Sequence, residues 1–477
     1  MITITRRLAG QMRVVFRKAL NMTRSTGPAL HFATGPGGTH VRAKCANAAV
    51  EYHVPGKLPQ DEMWVPFELL CDVEARRDDP VQIEMLGDRR VLAGWRDGNL
   101  PQMVQYDPVT PSDTDDFPET PETFAENPPG LLMALHDAML TTTPDAARYA
   151  TDHIQVRGGS GALAATDGRQ MLIQDGFEFP WGNDVLIPRT KVFGSDELPQ
   201  DKPVAIGKTD GWVAIRVGPW RIWLKIEKER RFPEVDHHVP RAQDATSGCR
   251  LSAADADFLA ENLPRLPCDE ERNCPVTLDL NGKVAIRVKA ADQPQPTELV
   301  LANSVASGEP MRVNTNYKFL ARAVKLGLNE LCLYSPKVPA MCRDEHRSYV
   351  WALLNAESAI TPTDDVIRIT SADARQDVRT TNRKTRIRKA TMPRPNSSGN
   401  GQGQANGRTS PQATTGAKAD DQGIDVLIEQ AEALKVALRD SLSKTSELIS
   451  ALKRHRKQSK LVQSTLQSLR RLQAVDA

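Results

Sequence analysis

Reactive side chains come in recognisable company: a nucleophile beside a base, paired carboxylates, or His and Cys at metal-ligand spacing. The nearest approach here is Asp236-His237-His238. Neighbours on an extended segment point to opposite faces, and neither a Ser or Cys nucleophile nor a glycine-rich phosphate loop accompanies them, so the chain is read as a non-enzyme. The seven cysteines (Cys45, Cys71, Cys249, Cys268, Cys274, Cys332, Cys342) are scattered without a CxxC pair, against both a zinc centre and a disulfide framework. Cys268 and Cys274 flank an acidic loop and could pair if oxidised, but are read as thiols in a reducing cytoplasm. Neither a metal nor a cofactor is expected.

What remains is binding chemistry. Ala165-Thr166-Asp167-Gly168 and the following Arg169-Gln170-Met171 combine a tight turn with an apolar side chain. About 150 residues downstream, Asn314-Thr315-Asn316-Tyr317 and Tyr349-Val350-Trp351 offer an amide, phenols and apolar surface. Each is ordinary alone, as a turn, a cap or a core aromatic. Together they suit a concave apolar site with a few convergent polar groups, so the fold must bring distant segments together.

The elements that could do so are written three times over residues 1–360. Each copy opens with an amphipathic helix, Arg6 to Leu20, Gly130 to Leu140, and Ala253 to Leu263 with Ser252 as its N-cap and Pro264 at its end. Strand pairs around glycine-containing turns follow; in the third copy Asn281-Gly282 predicts a type I′ hairpin. A short strand then runs into a second helix at Pro66, Pro188 and Asn314, where proline or a capping asparagine fits, and a further hairpin closes each copy. The fold class is α+β: three tandem domains, each with two helices packed on antiparallel sheet, spanning 1–128 with an acidic linker, 129–241 and 242–360.

Beyond 360 the character changes. Residues 361–477 carry 21 Lys+Arg against 12 Asp+Glu, while the whole chain is only +2, so the body is acidic and the tail basic. Residues 361–423, basic and then Gly/Ser/Asn/Gln-rich, read as a disordered linker. Residues 424–477 repeat apolar side chains at steps of three and four, predicting a long helix or coiled coil. Nowhere do apolar residues run to 18, which excludes a membrane-spanning helix. The first fifty residues lack Asp and Glu, as transit peptides do, but read as a strand followed by a helix.

In order and spacing, Ala165-Thr166-Asp167-Gly168, Val185 to Arg189, Arg231-Phe232-Pro233, Asn314 to Tyr317 and Tyr349-Val350 resemble the bacterial sliding clamp, the beta subunit of DNA polymerase III, over roughly residues 1–360. The resemblance implies a homodimer closed head to tail, a processivity factor in DNA replication that encircles double-stranded DNA without sequence preference, and a cytoplasmic, nucleoid location. It implies that polymerase or repair proteins dock short peptides between the second and third domains, on Thr166, Gly168, Met171, Pro233, Asn314, Tyr317 and Val350, and that a clamp loader serves the ring. Departures from the family pattern fall at Arg169-Gln170-Met171, Thr151 and Ala352-Leu353-Leu354, so the partner peptide is expected to differ in detail.

For DNA, the first helix and the segment after it supply Arg6, Arg7, Arg13, Arg17, Lys18 and Arg24, and the last helix supplies Lys318, Arg322 and Lys325, cations suited to phosphate neutralisation. Asp255, Asp257 and Glu261 on the third copy's first helix oppose this. The alternative is a clamp paralogue, a peptide-binding scaffold assembled through its C-terminal helix without encircling DNA.

Overall fold

The computed structural model describes residues 1–372 except 23–26, 88–89, 108, 110–116, 147, 268–272 and 291–292. The readings of 373–423 as a linker and of 424–477 as a helix or coiled coil lie outside the described residues.

In the first third, β1 (Ile2–Thr5) leads into α1 (Arg6–Ala19), then β2 (Leu30–Gly35), β3 (Gly38–Lys44), β4 (Ala48–Val54), β5 (Asp61–Val65), α2 (Glu68–Val73), β6 (Pro80–Met85), β7 (Val91–Asp97) and β8 (Leu100–Tyr106). The second third holds β9 (Phe124–Asn127), α3 (Gly130–Thr141), β10 (His153–Arg157), β11 (Ala162–Thr166), β12 (Gln170–Gln174), β13 (Asp184–Pro188), β14 (Val204–Lys208), β15 (Trp212–Val217) and β16 (Trp220–Lys225). The remainder comprises β17 (Ser247–Arg250), α4 (Ala253–Asn262), β18 (Pro275–Asp279), β19 (Val284–Val288), β20 (Thr297–Leu301), β21 (Val305–Gly308), β22 (Arg312–Asn316), α5 (Tyr317–Lys325), β23 (Glu330–Leu333), β24 (Ala340–Arg343), β25 (Arg347–Trp351) and β26 (Ile367–Thr370).

The helices form where pattern and caps agree. On α1, Ala9, Met12, Val15, Phe16 and Ala19 are fully buried, and the Thr5 side chain accepts from the Leu8 N–H at the N-terminus. Each large side chain so buried is worth about 1.5–3 kcal/mol. Ser252 caps α4 as expected, its hydroxyl accepting from Asp255 N.

The strand orders repeat. One half-sheet runs β5-β2-β3-β4, β13-β10-β11-β12 and β22-β18-β19-β20 in the successive thirds; the other runs β1-β6-β7-β8, β9-β14-β15-β16 and β17-β23-β24-β25. Two antiparallel seams fuse these halves across the thirds: β4 pairs β16, with Val50 opposite Ile222, and β12 pairs β25, with Met171 opposite Val350. The results are an eight-stranded and a nine-stranded sheet, flanked by a four-stranded sheet ending at β8 and a five-stranded sheet ending at β26.

Several expectations change. Among the described residues the second third has no second α-helix: after Pro188 the chain makes only a 3₁₀ turn at Val192–Gly194, because Gly194 and Pro199 interrupt the segment. The Asn281-Gly282 hairpin forms with a longer loop between Asp279 and Val284, and only Gly282 of the pair takes a positive φ (+77°), so the turn is not type I′. The helix cap at α5 is Asn316, whose side chain accepts from Lys318 N; Asn314 lies within β22. Cys274, read as a thiol, is disulfide-bonded; Cys45, Cys71, Cys249, Cys332 and Cys342 are free. Finally, Ile367–Thr370, assigned to the linker, form β26, which pairs in parallel with β20.

Candidate functional site

The Thr166–Gln170 turn joining β11 to β12 is built from side-chain bonds. The Thr166 hydroxyl donates to Gln170 O (2.7 Å) and accepts from Gly168 N (3.0 Å). The Asp167 carboxylate accepts from the backbone N–H groups of Arg169 (2.8 Å) and Gln170 (2.9 Å) and from the Gln170 side-chain amide (2.8 Å). Gly168 takes φ +88°, and a Cβ there would meet nothing within 4 Å. The glycine therefore serves backbone conformation; no neighbour crowds it.

Pleating then sorts the seam. Met171 and Val350, 5% and 4% exposed, share one face with Val235, Cys332 and Met341. Half-buried Phe232, Ile173, Val239, Ala242, Ala245 and Tyr334 surround them. Pro233 lies half-buried between Phe232 and Val235 on the segment crossing this face. Leu172, Tyr349 and Trp351 point the other way, into the core of the last third. Phe232, Val235, Cys332, Tyr334 and Met341 were missed as site residues. The signal for the last three was the continuous apolar run in Leu331–Tyr334 and Ala340–Cys342, which marks strands covered on both faces. The Tyr334 hydroxyl is buried and lacks a hydrogen-bond partner among the described residues, and burial pushes its pKa up. The apolar face thus carries an unused polar handle.

Asn314 and Tyr317 make bonds and contacts within the last third. The Asn314 amide donates to the Ser358 hydroxyl (2.7 Å), and its carbonyl group accepts from Thr277 Oγ1 (3.4 Å). Its backbone oxygen accepts from Leu354 N (2.8 Å). The side chain thus helps hold residues 355–358. Tyr317 packs against the core on the Trp351 face. Thr166, Gly168, Met171 and Val350 lie along β11, the turn after it, β12 and β25, and Asn314 and Tyr317 lie on β22 and at the start of α5, tied to β25 through the Trp351 indole N–H, which donates to Thr315 Oγ1 (2.9 Å).

No family model and no curated protein matches the sequence. Solved structures do. The DNA polymerase III subunit beta of Pseudomonas aeruginosa superposes with a TM-score of 0.61 at 17% identity, covering 74% of this chain and 99% of that one. The beta subunit of Thermotoga maritima gives 0.59 at 14% identity, and the beta chain of Streptococcus pneumoniae TIGR4 gives 0.60 at 14%, each with the same two coverages. The Pseudomonas protein is also described as a sliding clamp bound to griselimycin (TM-score 0.60, 17% identity, coverages 74% and 99%). This chain has the sliding-clamp fold.

On that clamp fold the predicted cations divide. Arg6 is buried, its guanidinium donating to Val73 O (3.0 Å) and pairing with Asp97 (3.2 Å). Arg322 is likewise consumed inside, donating to Asp137 O (2.6 Å) and Thr141 Oγ1 (3.3 Å), and burial lowers its pKa. Neither is presented to a phosphate. Arg7 pairs with Asp78 (3.1 Å) and Arg13 with Glu74; Arg24 lies outside the described residues. Lys318 and Lys325 are exposed on α5.

Arg13, Arg17 and Lys18 do line a concavity of about 320 Å³ together with Lys191, without an acidic residue. It shares Asn21 and Lys191 with a larger cleft of about 940 Å³ that adds Arg189, Lys225, Lys228 and Arg230 beside Asp152, Glu227 and Glu229. Lys191, Lys225 and Lys228 escaped sequence reading because they lie far apart in the chain from α1. Asp255, counted as a repulsive surface charge, is fully buried and accepts from Asn303 N, Ser304 Oγ and Ser371 Oγ. Burial alone would raise its pKa, yet these bonds hold it below the ordinary carboxylate value. Asp257 and Glu261 remain exposed.

Proposed function

We propose that this chain is a DNA sliding clamp-like processivity factor. Three clamp-type domains per chain, two chains to a ring, surround duplex DNA, and proteins of polymerase or repair machinery tether themselves by short peptides. The observation carrying this reading is the repeated seam. Both junctions within the chain join the same pair of half-sheet edges, and a third junction of that kind joins the ends of two copies. The Arg13, Arg17, Lys18 and Lys191 surface supplies a salt-sensitive, sequence-independent hold on phosphates. Once loaded, the protein is expected to stay on a closed circular duplex and to be lost when the circle is linearised, read by co-elution on gel filtration.

The peptide docks on the Met171 and Val350 face, where Phe232 is an accessible aromatic rim and Tyr334 a polar anchor. Phe232→Ala is expected to weaken a fluorescein-labelled peptide that begins with Gln and ends in an apolar pair by about tenfold or more, about 1.4 kcal/mol. Unchanged polarisation titrations would remove this face from the site. The scaffold reading is favoured by the internal use of Arg6 and Arg322, and equal loss from circular and linear DNA would select it.

A further inference from the structure

The half-sheet repeat assigns each edge strand a counterpart. β4 and β12 are the fourth strands of their half-sheets, and each pairs antiparallel with the last strand of the other kind, β16 or β25. The corresponding strand in the last third is β20, and the one in the first third is β8. β8 is the end strand of its sheet, with Leu100 and Met103 66% and 67% exposed. β20 is not an end strand. β26, which follows the last strand of the repeat, lies on its edge in parallel, with Thr297 opposite Ile367 and Val300 opposite Thr370.

A polar latch holds it there. Ser371 Oγ donates to the buried Asp255 carboxylate (2.5 Å) and accepts from Ala302 N (2.9 Å). Ser371 N donates to Val300 O (3.0 Å), and the Asn303 side-chain amide donates to Ala372 O (2.8 Å). Arg368 Nε donates to Glu298 (2.6 Å). The ladder spans four residues, against five in each internal seam. Parallel pairing is also slightly weaker per residue than antiparallel.

We propose that residues 366–372 are an intramolecular guard: β26 occupies the β20 edge through which a second copy would pair by its own β8, so assembly through that edge requires β26 to leave. The inference rests on the clamp reading only for the strand that the released edge meets. The guard covers an edge that would otherwise template indiscriminate strand addition, and it makes closure conditional on an exchange of one strand for another.

The test uses the full chain, without DNA or peptide, so failure to hold DNA leaves its outcome intact. Arg368→Glu with Ser371→Asp sets like charges against Glu298 and Asp255. Hydrogen exchange at residues 366–372 is expected to quicken at least tenfold. At high protein concentration, exchange at residues 100–106 is expected to slow at least tenfold relative to the wild type, with a matching rise in dimer mass by sedimentation. Conversely, Thr297→Cys with Ile367→Cys locks the guard, because paired strands about 4.8 Å apart lie within disulfide reach. The oxidised lock, compared with either single-cysteine variant, is expected to leave residues 100–106 unprotected at every concentration. A released variant that exposes 366–372 without protecting 100–106, or a lock that protects 100–106 as the wild type does, would overturn the proposal.

Discussion

Trp351→Ala is expected to destabilise the protein by about 3–5 kcal/mol, the range for removing a large buried aromatic side chain. Trp351 is 1% exposed, tilts against Tyr349 with ring centroids 5.4 Å apart, and sits opposite Gln170 in the β12–β25 seam. Its indole N–H donates to Thr315 Oγ1, so truncation removes a donor as well as volume. Trp351→Phe keeps most of the volume but loses the bond, and about 1–2 kcal/mol is expected. Urea melts of both variants check the ladder of values. Because the same strand presents Val350 on the opposite face, Trp351→Ala is also expected to lower affinity for the labelled peptide, whereas Trp351→Phe holds the strand in place. Equal stability of the alanine variant and the wild type would mean that the seam is not cored by this residue.

The seam also explains what sequence could and could not convey. Alternation and caps located α1, α3, α4 and most hairpins, since those depend on residues within a turn or two of one another. The word Thr166 to Met171 marked a turn correctly, because Thr166, Asp167 and Gly168 satisfy local bonds. The partner of β12 was another matter. β11 is buried along its whole length and β12 along most of it, so their composition signals a covered sheet without saying which distant strand lies beside it. Asn314 and Asn316 show the same limit on a smaller scale. Both are plausible caps by type, and only the position of the strand end gives the role to Asn316 and buries Asn314 against Ser358. Charges were the least legible. Asp255, Arg6 and Arg322 look like surface groups in the sequence, and each proves to be an internal hydrogen-bonding centre whose partners lie at least 48 positions away.

The other seam rests on a buried charge, and Glu51→Ala is expected to cost about 3–5 kcal/mol, the effect of stranding the partners of a buried ion pair. The Glu51 side chain is fully buried, and its carboxylate accepts from Arg221 across the β4–β16 seam (3.0 Å) and from Arg42 on β3 (2.5 Å). His40 adds a third contact (3.2 Å). Burial alone would raise the Glu51 pKa, but the Arg42 and Arg221 guanidinium groups together pull it below the ordinary value of 4.5. A carboxylate with a depressed folded-state pKa contributes stability that is present above the unfolded-state value and is lost as pH falls through the folded-state one. Stability of the wild type is therefore expected to fall below about pH 4.5 more steeply than that of a variant without the carboxylate. Arg42→Met, Glu51→Leu and Arg221→Met together remove the charges without stranding any of them. This triple variant is expected to regain most of the stability lost in Glu51→Ala and to show the flatter acid limb. Urea melts at pH 7 and pH 4 check both halves: a triple variant no more stable than Glu51→Ala would assign the cost to lost packing at the seam, and parallel acid limbs would remove Glu51 as the titrating group.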